Sequence, residues 1–296
     1  MSNNPIFTGC GVAIVTPFNE DTSVNYKSLE KLLEFHIENG TDSIVICGTT
    51  GESATLTPKE HSDVIKFTCD VVNHRIPVIA GTGSNETAYA IELSNDAEKA
   101  GADAMLVVTP YYNKCSQRGL VKHYNAIADN TSKPIIIYNV PSRTGVNVLP
   151  STYAELCEHK NIIATKEASG NISQIAETIA LCGDKLDVYS GNDDQIVPLM
   201  SLGGKGVISV LSNICPKLAH DIPTLYLEGK VKESAELQLK YLELINAMFM
   251  DVNPIPVKVA MQMMGFDVGP LRMPLCEMDD AKTAKLESIL KKYNLI

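Results

Sequence analysis

The sequence predicts an α/β fold: a (β/α)8 TIM barrel with a C-terminal helical appendage. Three observations predict it. Eight short runs, near-continuous in Val, Ile, Leu and Ala, recur along the chain, as expected of parallel strands buried on both faces. Stretches of helical length and periodicity separate them. After about Pro223 the strand signal stops and helical patterns alone continue.

The runs are Gly11–Thr16, Ser43–Gly48, Pro77–Gly81, Ala104–Pro110, Pro134–Val140, Ile162–Ala168, Asp187–Gly191 and Gly206–Leu211. Between the first two, Asn25 to Asn39 places Leu29, Leu32, Leu33 and Ile37 on one helical face, with Gly40 as a stop. Thr57-Pro58-Lys59-Glu60 reads as a capping box with proline at the first helical position. Asn171 caps a helix that ends by Gly183. Eight strands alternating with helices over about 210 residues imply a closed barrel. An open doubly wound sheet would begin with a glycine-rich phosphate turn after its first strand, and here that place reads Thr16-Pro17-Phe18-Asn19. In the tail, Val231–Met250 reads as a helix with Ala235, Leu239, Leu242 and Ile245 on one side. Val257–Met264 and Asp279–Tyr293 read as two more. The expected division is residues 1–223 for the catalytic barrel and 224–296 for a helical subdomain packed on it.

Composition narrows the function. The chain has 296 residues, 45% hydrophobic, with a net charge of −10, which argues against a nucleic-acid or anionic-membrane surface. No run approaches the roughly 18 apolar residues of a membrane helix. The start Met1-Ser2-Asn3-Asn4-Pro5 lacks the basic and apolar regions of a secretory leader, so a cytoplasmic location is expected. The eight cysteines are scattered with no C-x-x-C pair, and free thiols are expected. The six histidines show no metal-ligand spacing, and no metal or cofactor is expected. The arginines are Arg75, Arg118, Arg143 and Arg272, so one in a strand-end loop stands out.

In a barrel of this kind the C-terminal strand ends carry the chemistry. Lys166 sits near the end of the sixth run and Tyr138 at the corresponding place of the fifth. By alternation Ala164, Lys166 and Ala168 share a face, leaving room for the lysine in the barrel mouth; the blander reading is a lysine snorkelling to solvent. Glu167 then faces the helices, where a structural salt bridge is expected. Gly48-Thr49-Thr50-Gly51-Glu52-Ser53 offers hydroxyls and backbone N–H groups as a carboxylate cradle, or is simply a tight turn. Tyr111 and Tyr112 follow Pro110 and could serve packing or an interface. Arg143 could grip a carboxylate bidentately, or be a surface arginine. Gly191 allows close backbone approach to a ligand, and Asp193 or Asp194 could cap the next helix. Cys47, beside the Thr49 turn, is either reactive or a small buried hydrophobe.

A lysine beside a tyrosine in a barrel mouth suits Schiff-base chemistry. An unperturbed lysine near pKa 10.4 is less than roughly 0.1% neutral at pH 7. Burial depresses that pKa, and a hydroxyl relay through Tyr138 and Thr49 could move the protons of imine formation. The iminium is then an electron sink that turns a 2-oxo acid into an enamine nucleophile.

These motifs resemble the dihydrodipicolinate synthase family, within the N-acetylneuraminate lyase superfamily. They are Gly48-Thr49-Thr50-Gly51-Glu52, Tyr111-Tyr112-Asn113, Tyr138-Asn139-Val140-Pro141-Ser142-Arg143-Thr144-Gly145 and Lys166-Glu167-Ala168-Ser169, in the family's order. The resemblance implies condensation of pyruvate with L-aspartate 4-semialdehyde to 4-hydroxy-tetrahydrodipicolinate, toward diaminopimelate and lysine. Lys166 would form the Schiff base, and Tyr138 would transfer protons through Thr49 to Tyr112, which in the family reaches a neighbouring subunit's site. Thr50 would bind the pyruvate carboxylate and Arg143 that of the semialdehyde, while Gly191 and the Ile208 carbonyl would line the pocket. A homotetramer, a dimer of dimers, is implied. N-acetylneuraminate lyases and 2-keto-3-deoxy sugar-acid aldolases share the lysine and tyrosine, but Arg143 and the Thr49-Thr50 pair favour the synthase. A barrel that only senses a 2-oxo acid is the alternative of another class, and the intact lysine, tyrosine and threonines speak against it.

Family members inhibited by lysine bind it near positions matching Ser53, Ala54, Leu56, His61, Asn85 and Tyr111. Here Pro58 stands where such members tend to have histidine, and Tyr89 where they have a glutamate for the ligand's ammonium. Weak or absent lysine inhibition is therefore expected.

Overall fold

The computed structural model describes residues 5–296, and the leader reading of Met1 to Asn4 lies outside them. Eight strands close into one barrel in chain order, each parallel to its neighbours. They are β1 (Gly9–Ala13), β2 (Ser43–Ile46), β3 (Val78–Gly81), β4 (Ala104–Val108), β5 (Ile135–Asn139), β6 (Ile162–Glu167), β7 (Asp187–Ser190) and β8 (Gly206–Ser209). The helices between them are α1 (Tyr26–Glu38), α2 (Pro58–Val72), α3 (Thr87–Ala100), α4 (Gln117–Ala128), α5 (Pro141–Thr144), α6 (Pro150–Leu156), α7 (Ile172–Cys182) and α8 (Ile196–Met200). After β8 come α9 (Pro216–Leu227), α10 (Val231–Lys240), α11 (Leu242–Ala247), α12 (Ile255–Met263) and α13 (Asp280–Lys292).

Local chemistry starts these helices where the sequence says it should. Asn25 accepts from the Ser28 N–H at the head of α1. Thr57 and Glu60 exchange both bonds of the capping box, a device worth about 1 kcal/mol. Asn171 and Asp279 cap α7 and α13. Inside the barrel, Val45, Ile79, Leu106, Ile136, Tyr189 and Ile208 belong to one packed cluster. At its lower end Phe7 stacks on Tyr189 with ring centroids 4.4 Å apart, and the Tyr189 hydroxyl donates to the Phe7 carbonyl at 2.7 Å. The N-terminal segment thus plugs the end of the barrel opposite the mouth. The ring closes between β8 and β1 at Gly206, where φ is +154° and a Cβ would lie 1.9 Å from the Gly9 carbonyl oxygen. No larger residue fits that seam.

Each apolar run contains its strand, with one displaced. The run Gly11–Thr16 is strand only to Ala13, and the strand begins at Gly9. Beyond Ala13 a side chain takes over the pairing, since the Val15 N–H donates to Asn213 Oδ1 at 3.1 Å. The expected long helix Val231–Met250 breaks at Tyr241 into α10 and α11. The break leaves the Lys240 carbonyl to accept from the Tyr293 hydroxyl at 3.1 Å. Its first half is also turned from the expected face. Leu239 is 67% exposed, whereas Ser234 and Gln238 are buried. Both polar side chains are satisfied, Ser234 by the Ile222 carbonyl and Gln238 by the Val197 N–H and the Asp194 carbonyl. Residue 223, the expected division, falls inside α9. Among the described residues no helix is long and apolar enough to cross a membrane.

On the lower face, His220 Nδ1 lies 2.7 Å from Asp42 Oδ2, which also accepts from the Cys10 N–H at 2.7 Å. The Asp42 hydrogen bond raises the His220 pKa above 6.5. The stability this pair contributes is present in full below the unfolded pKa and is lost as pH rises through the folded one. His220→Gln should therefore lower the melting temperature most near pH 5.5, with the gap to wild type narrowing by pH 8. A gap that widens with pH would contradict this account of the pair.

Candidate active site

The mouth is built from the turns that follow the strands. Across the β5–β6–β7 ladder, Tyr138, Lys166 and Tyr189 are Cα partners. The β5–β6 register is not continuous: Ile135 pairs with Ile162 and Ile136 with Ala164, so Ile163 is an extra residue. Without that bulge Tyr138 would stand opposite Thr165 instead. Because faces alternate along a strand, the one-residue shift decides which side chain meets the tyrosine.

Lys166 is 6% exposed, with Nζ 4.4 Å from the centroid of the Tyr138 ring. Burial depresses its pKa to about 8, aided by the charge of Arg143 and opposed by that of Asp193. At that value about a tenth of the side chain is neutral at pH 7. That is roughly two hundredfold more than for a free lysine. Tyr138 is pushed upward by burial, and both Arg143 and the Thr49 hydroxyl oppose the shift. An amine that can be neutral, beside a hydroxyl, is what imine formation requires. Gly191 makes room for it. A Cβ there would lie 2.8 Å from the Ala168 Cβ and 3.1 Å from the Lys166 Cε.

After β2 the chain turns sharply at Cys47 and Glu52, both at positive φ. Among the described residues, the backbone N–H groups of Thr49 and Thr50 have no hydrogen-bond partner. Thr50 is buried and its hydroxyl accepts from Asn253 Nδ2 at 3.0 Å. Those unengaged donors suit a carboxylate. The turn is held from behind by a buried ion pair, Glu52 Oε1 to Lys258 Nζ at 2.8 Å. Glu52 also accepts from the Arg272 N–H, and Lys258 donates to the Thr16 and Pro270 carbonyls. Removing one partner of such a pair typically costs about 3–5 kcal/mol. Cys47 is buried and its thiol is pushed well up by burial, which makes it inert packing.

Arg143 lies in the short α5 after β5, and its Nη2 donates to the Asn253 carbonyl at 3.4 Å. Thr49, Tyr138 and Arg143 line a cavity of about 480 Å3. The same cavity runs on to Ser53, Ala54, Leu56, His61, Tyr89 and Tyr111. Thr50, Lys166, Gly191 and Ile208 do not line it, and Ile208 is wholly buried in β8. Asn85 is off the wall too, its carbonyl accepting from Asn113 Nδ2. Tyr112 is not gathered in. It is 89% exposed at φ +73°, a backbone state that costs a bulky residue energy.

Two side chains behave otherwise than expected. Among the described residues Glu167 has no cation beside it. It accepts from Asn139 Nδ2, the Ser169 N–H and the Tyr153 hydroxyl, which satisfy the carboxylate in the helical layer. Asp193 caps nothing. Its Oδ2 accepts from the Val210 and Leu211 N–H groups, each at 3.0 Å, pinning the chain after β8 to that after β7. Asn253 and Lys258 were missed as neighbours of the site, and Asp193 was placed at its strand end but read only as a cap. Only the turn signal Asn253-Pro254 marked either of the first two.

A sequence model of the dihydrodipicolinate synthetase family matches residues 6–293. The chain belongs to that family. It is 60% identical to the 4-hydroxy-tetrahydrodipicolinate synthase of Lachnoclostridium phytofermentans over 98% of this chain and 99% of that one. Among solved structures it is similar to the chloride-inhibited dihydrodipicolinate synthase from Acinetobacter baumannii complexed with pyruvate. There the TM-score is 0.95 and the identity 45%, covering 98% of this chain and 99% of that one. It is also similar to the enzyme from Cyanidioschyzon merolae with lysine bound. The TM-score is 0.96 and the identity 38%, covering 99% of this chain and 100% of that one. Family membership fits the closed barrel with helices appended at its C-terminus.

Gly191→Ala should fold but force the Lys166 stem aside. A fall in turnover of ten-fold or more is expected, with little change in melting temperature; an unchanged rate would remove Gly191 from the site.

Proposed function

We propose that this chain condenses pyruvate with L-aspartate 4-semialdehyde to 4-hydroxy-tetrahydrodipicolinate, as a class I aldolase-type lyase on the diaminopimelate route to lysine. The observation that carries the reading is Lys166, buried with a depressed pKa and paired in register with Tyr138. Neutral Lys166 attacks C2 of pyruvate. Protons shuttled by Tyr138 and Thr49 let the carbinolamine lose water, giving an iminium. Loss of a C3 proton makes the enamine, which adds to the semialdehyde's aldehyde carbon. The substrate's own amine then attacks the iminium carbon and expels Lys166 while closing the ring. The iminium itself is the electron sink, so the sequence of steps calls for no cofactor.

Thr50, with the free N–H groups of its turn, holds the pyruvate carboxylate. Arg143, at the rim, holds that of the semialdehyde. Gly191 and Ile208 shape the floor. Tyr112 completes the relay in a neighbouring subunit of a homotetramer built as a dimer of dimers. Its exposure and positive φ support a role made good by a partner chain. Substrates of this kind, and the acidic surface, suit a cytoplasmic enzyme without nucleic-acid or membrane partners.

The decisive experiment is borohydride trapping with pyruvate, mass spectrometry of the labelled peptide, and a chase with semialdehyde. An adduct on Lys166 that the semialdehyde discharges is expected. An adduct it cannot discharge would shift the reading to a sugar-acid lyase, and no adduct would leave a silent barrel. Arg143→Ala should raise the semialdehyde KM far more than it impairs pyruvate capture; equal damage would make Arg143 structural.

The cavity beyond Tyr138 bears on regulation. Tyr89 puts a neutral phenol on its wall beside Tyr111. A charge-assisted hydrogen bond to a ligand ammonium is worth about 1.5–3 kcal/mol, so its loss weakens binding roughly ten- to a hundred-fold. Lysine should inhibit weakly or not at all in a steady-state assay, and sub-millimolar inhibition would sink this expectation.

A further inference from the structure

Thr50 is 2% exposed and Asn253 6%, so the bond between them is not traded with water. A threonine hydroxyl has one proton to donate and two lone pairs to accept with. Asn253 Nδ2 donates to the Thr50 oxygen at 3.0 Å. The Thr50 hydroxyl makes no other hydrogen bond among the described residues, and Asn253 Oδ1 is buried without a partner. An amide that donates to this hydroxyl leaves it only outward donation, beside the unengaged N–H groups of Thr49 and Thr50. Asn253 lies on the cavity wall with Arg143, and its carbonyl accepts from the Arg143 guanidinium. It belongs to the loop between α11 and α12 of the appended helices, 203 residues along the chain from Thr50.

We propose that Asn253 is a positioning residue for the first substrate: its amide fixes the Thr50 hydroxyl as a donor to the incoming 2-oxo-acid carboxylate, while its backbone carbonyl steadies Arg143. The proposal rests on the reading of Thr50 as a carboxylate ligand. It assigns the appended helices a part in substrate selection. Asn253 needs no contact with the substrate, because it acts through the polarity of one hydrogen bond. The side chain serves Thr50 and the main chain serves Arg143, so the two effects separate in a side-chain variant.

The test measures the pyruvate concentration that half-saturates borohydride trapping of Lys166, together with steady-state constants, in the full-length enzyme. Asn253→Ala should raise pyruvate half-saturation roughly ten-fold, the weight of one hydrogen bond to a charged group. The semialdehyde KM should stay within about two-fold, because the backbone carbonyl remains. Asn253→Asp is nearly isosteric but can only accept, so it draws the Thr50 proton inward and should weaken pyruvate capture further. The double variant Thr50→Val/Asn253→Ala should be no worse for pyruvate than Thr50→Val alone. Should the alanine variant fail to fold, the aspartate variant decides the matter by the same half-saturation.

Wild-type half-saturation in Asn253→Asp overturns the proposal. So do effects that multiply in the double variant, and equal loss of both substrates in Asn253→Ala. Thr50→Val with unchanged pyruvate capture removes Thr50 from the site and the proposal with it. Weakened capture in Thr50→Val with none in Asn253→Ala overturns the role of Asn253 alone.

Discussion

An amine enclosed by a closed ring of parallel strands is the constraint on which the rest of this structure depends. Water would hold Lys166 protonated; the barrel denies it that water. Every other feature of the mouth follows from keeping the side chain buried, reachable and correctly faced. Gly191 leaves its stem space, Tyr138 lies against its head, and the Ile163 bulge sets the face on which both meet. The acid nearest in influence, Asp193, is itself spent on two backbone N–H groups. Its charge still favours the protonated amine, and burial of the lysine outweighs it.

Much of this was legible in the residues. Strands buried on both faces advertise themselves as apolar runs, and a lysine and a tyrosine at matching ends of two such runs stand out against them. The capping box and the Asn171 cap could be read because they are local, settled by residues three apart. The misjudged helix face at Leu239 shows where periodicity fails. There the buried side belongs to Ser234 and Gln238, whose partners lie on other helices and leave no trace in the local pattern. The same blindness hid Asn253 and Lys258, which meet the Thr49-Thr50 turn only after some two hundred residues of chain. The bulge was invisible for a different reason. It is a property of pairing between two strands, and either strand alone reads as regular.

The turn after β2 shows how a flexible segment is made rigid. Two positive-φ residues bend it, and a buried Glu52–Lys258 pair holds it from the appendage side. Phe18 lies under that pair, with Lys258 Nζ 4.6 Å and the Arg272 guanidinium carbon 4.3 Å from its ring. The donors of Thr49 and Thr50 are therefore held in place by a buried ion pair behind them. Such second-layer support is what keeps a binding group within a fraction of an ångström of its working position.

The stacked Phe7 and Tyr189 close one end of the barrel. Lys166 and Thr50 lie deep and buried, while Arg143 stands at the exposed rim. Under the proposed roles, a ligand held at Lys166 and Thr50 sits below one held at Arg143, so the deeper one enters first.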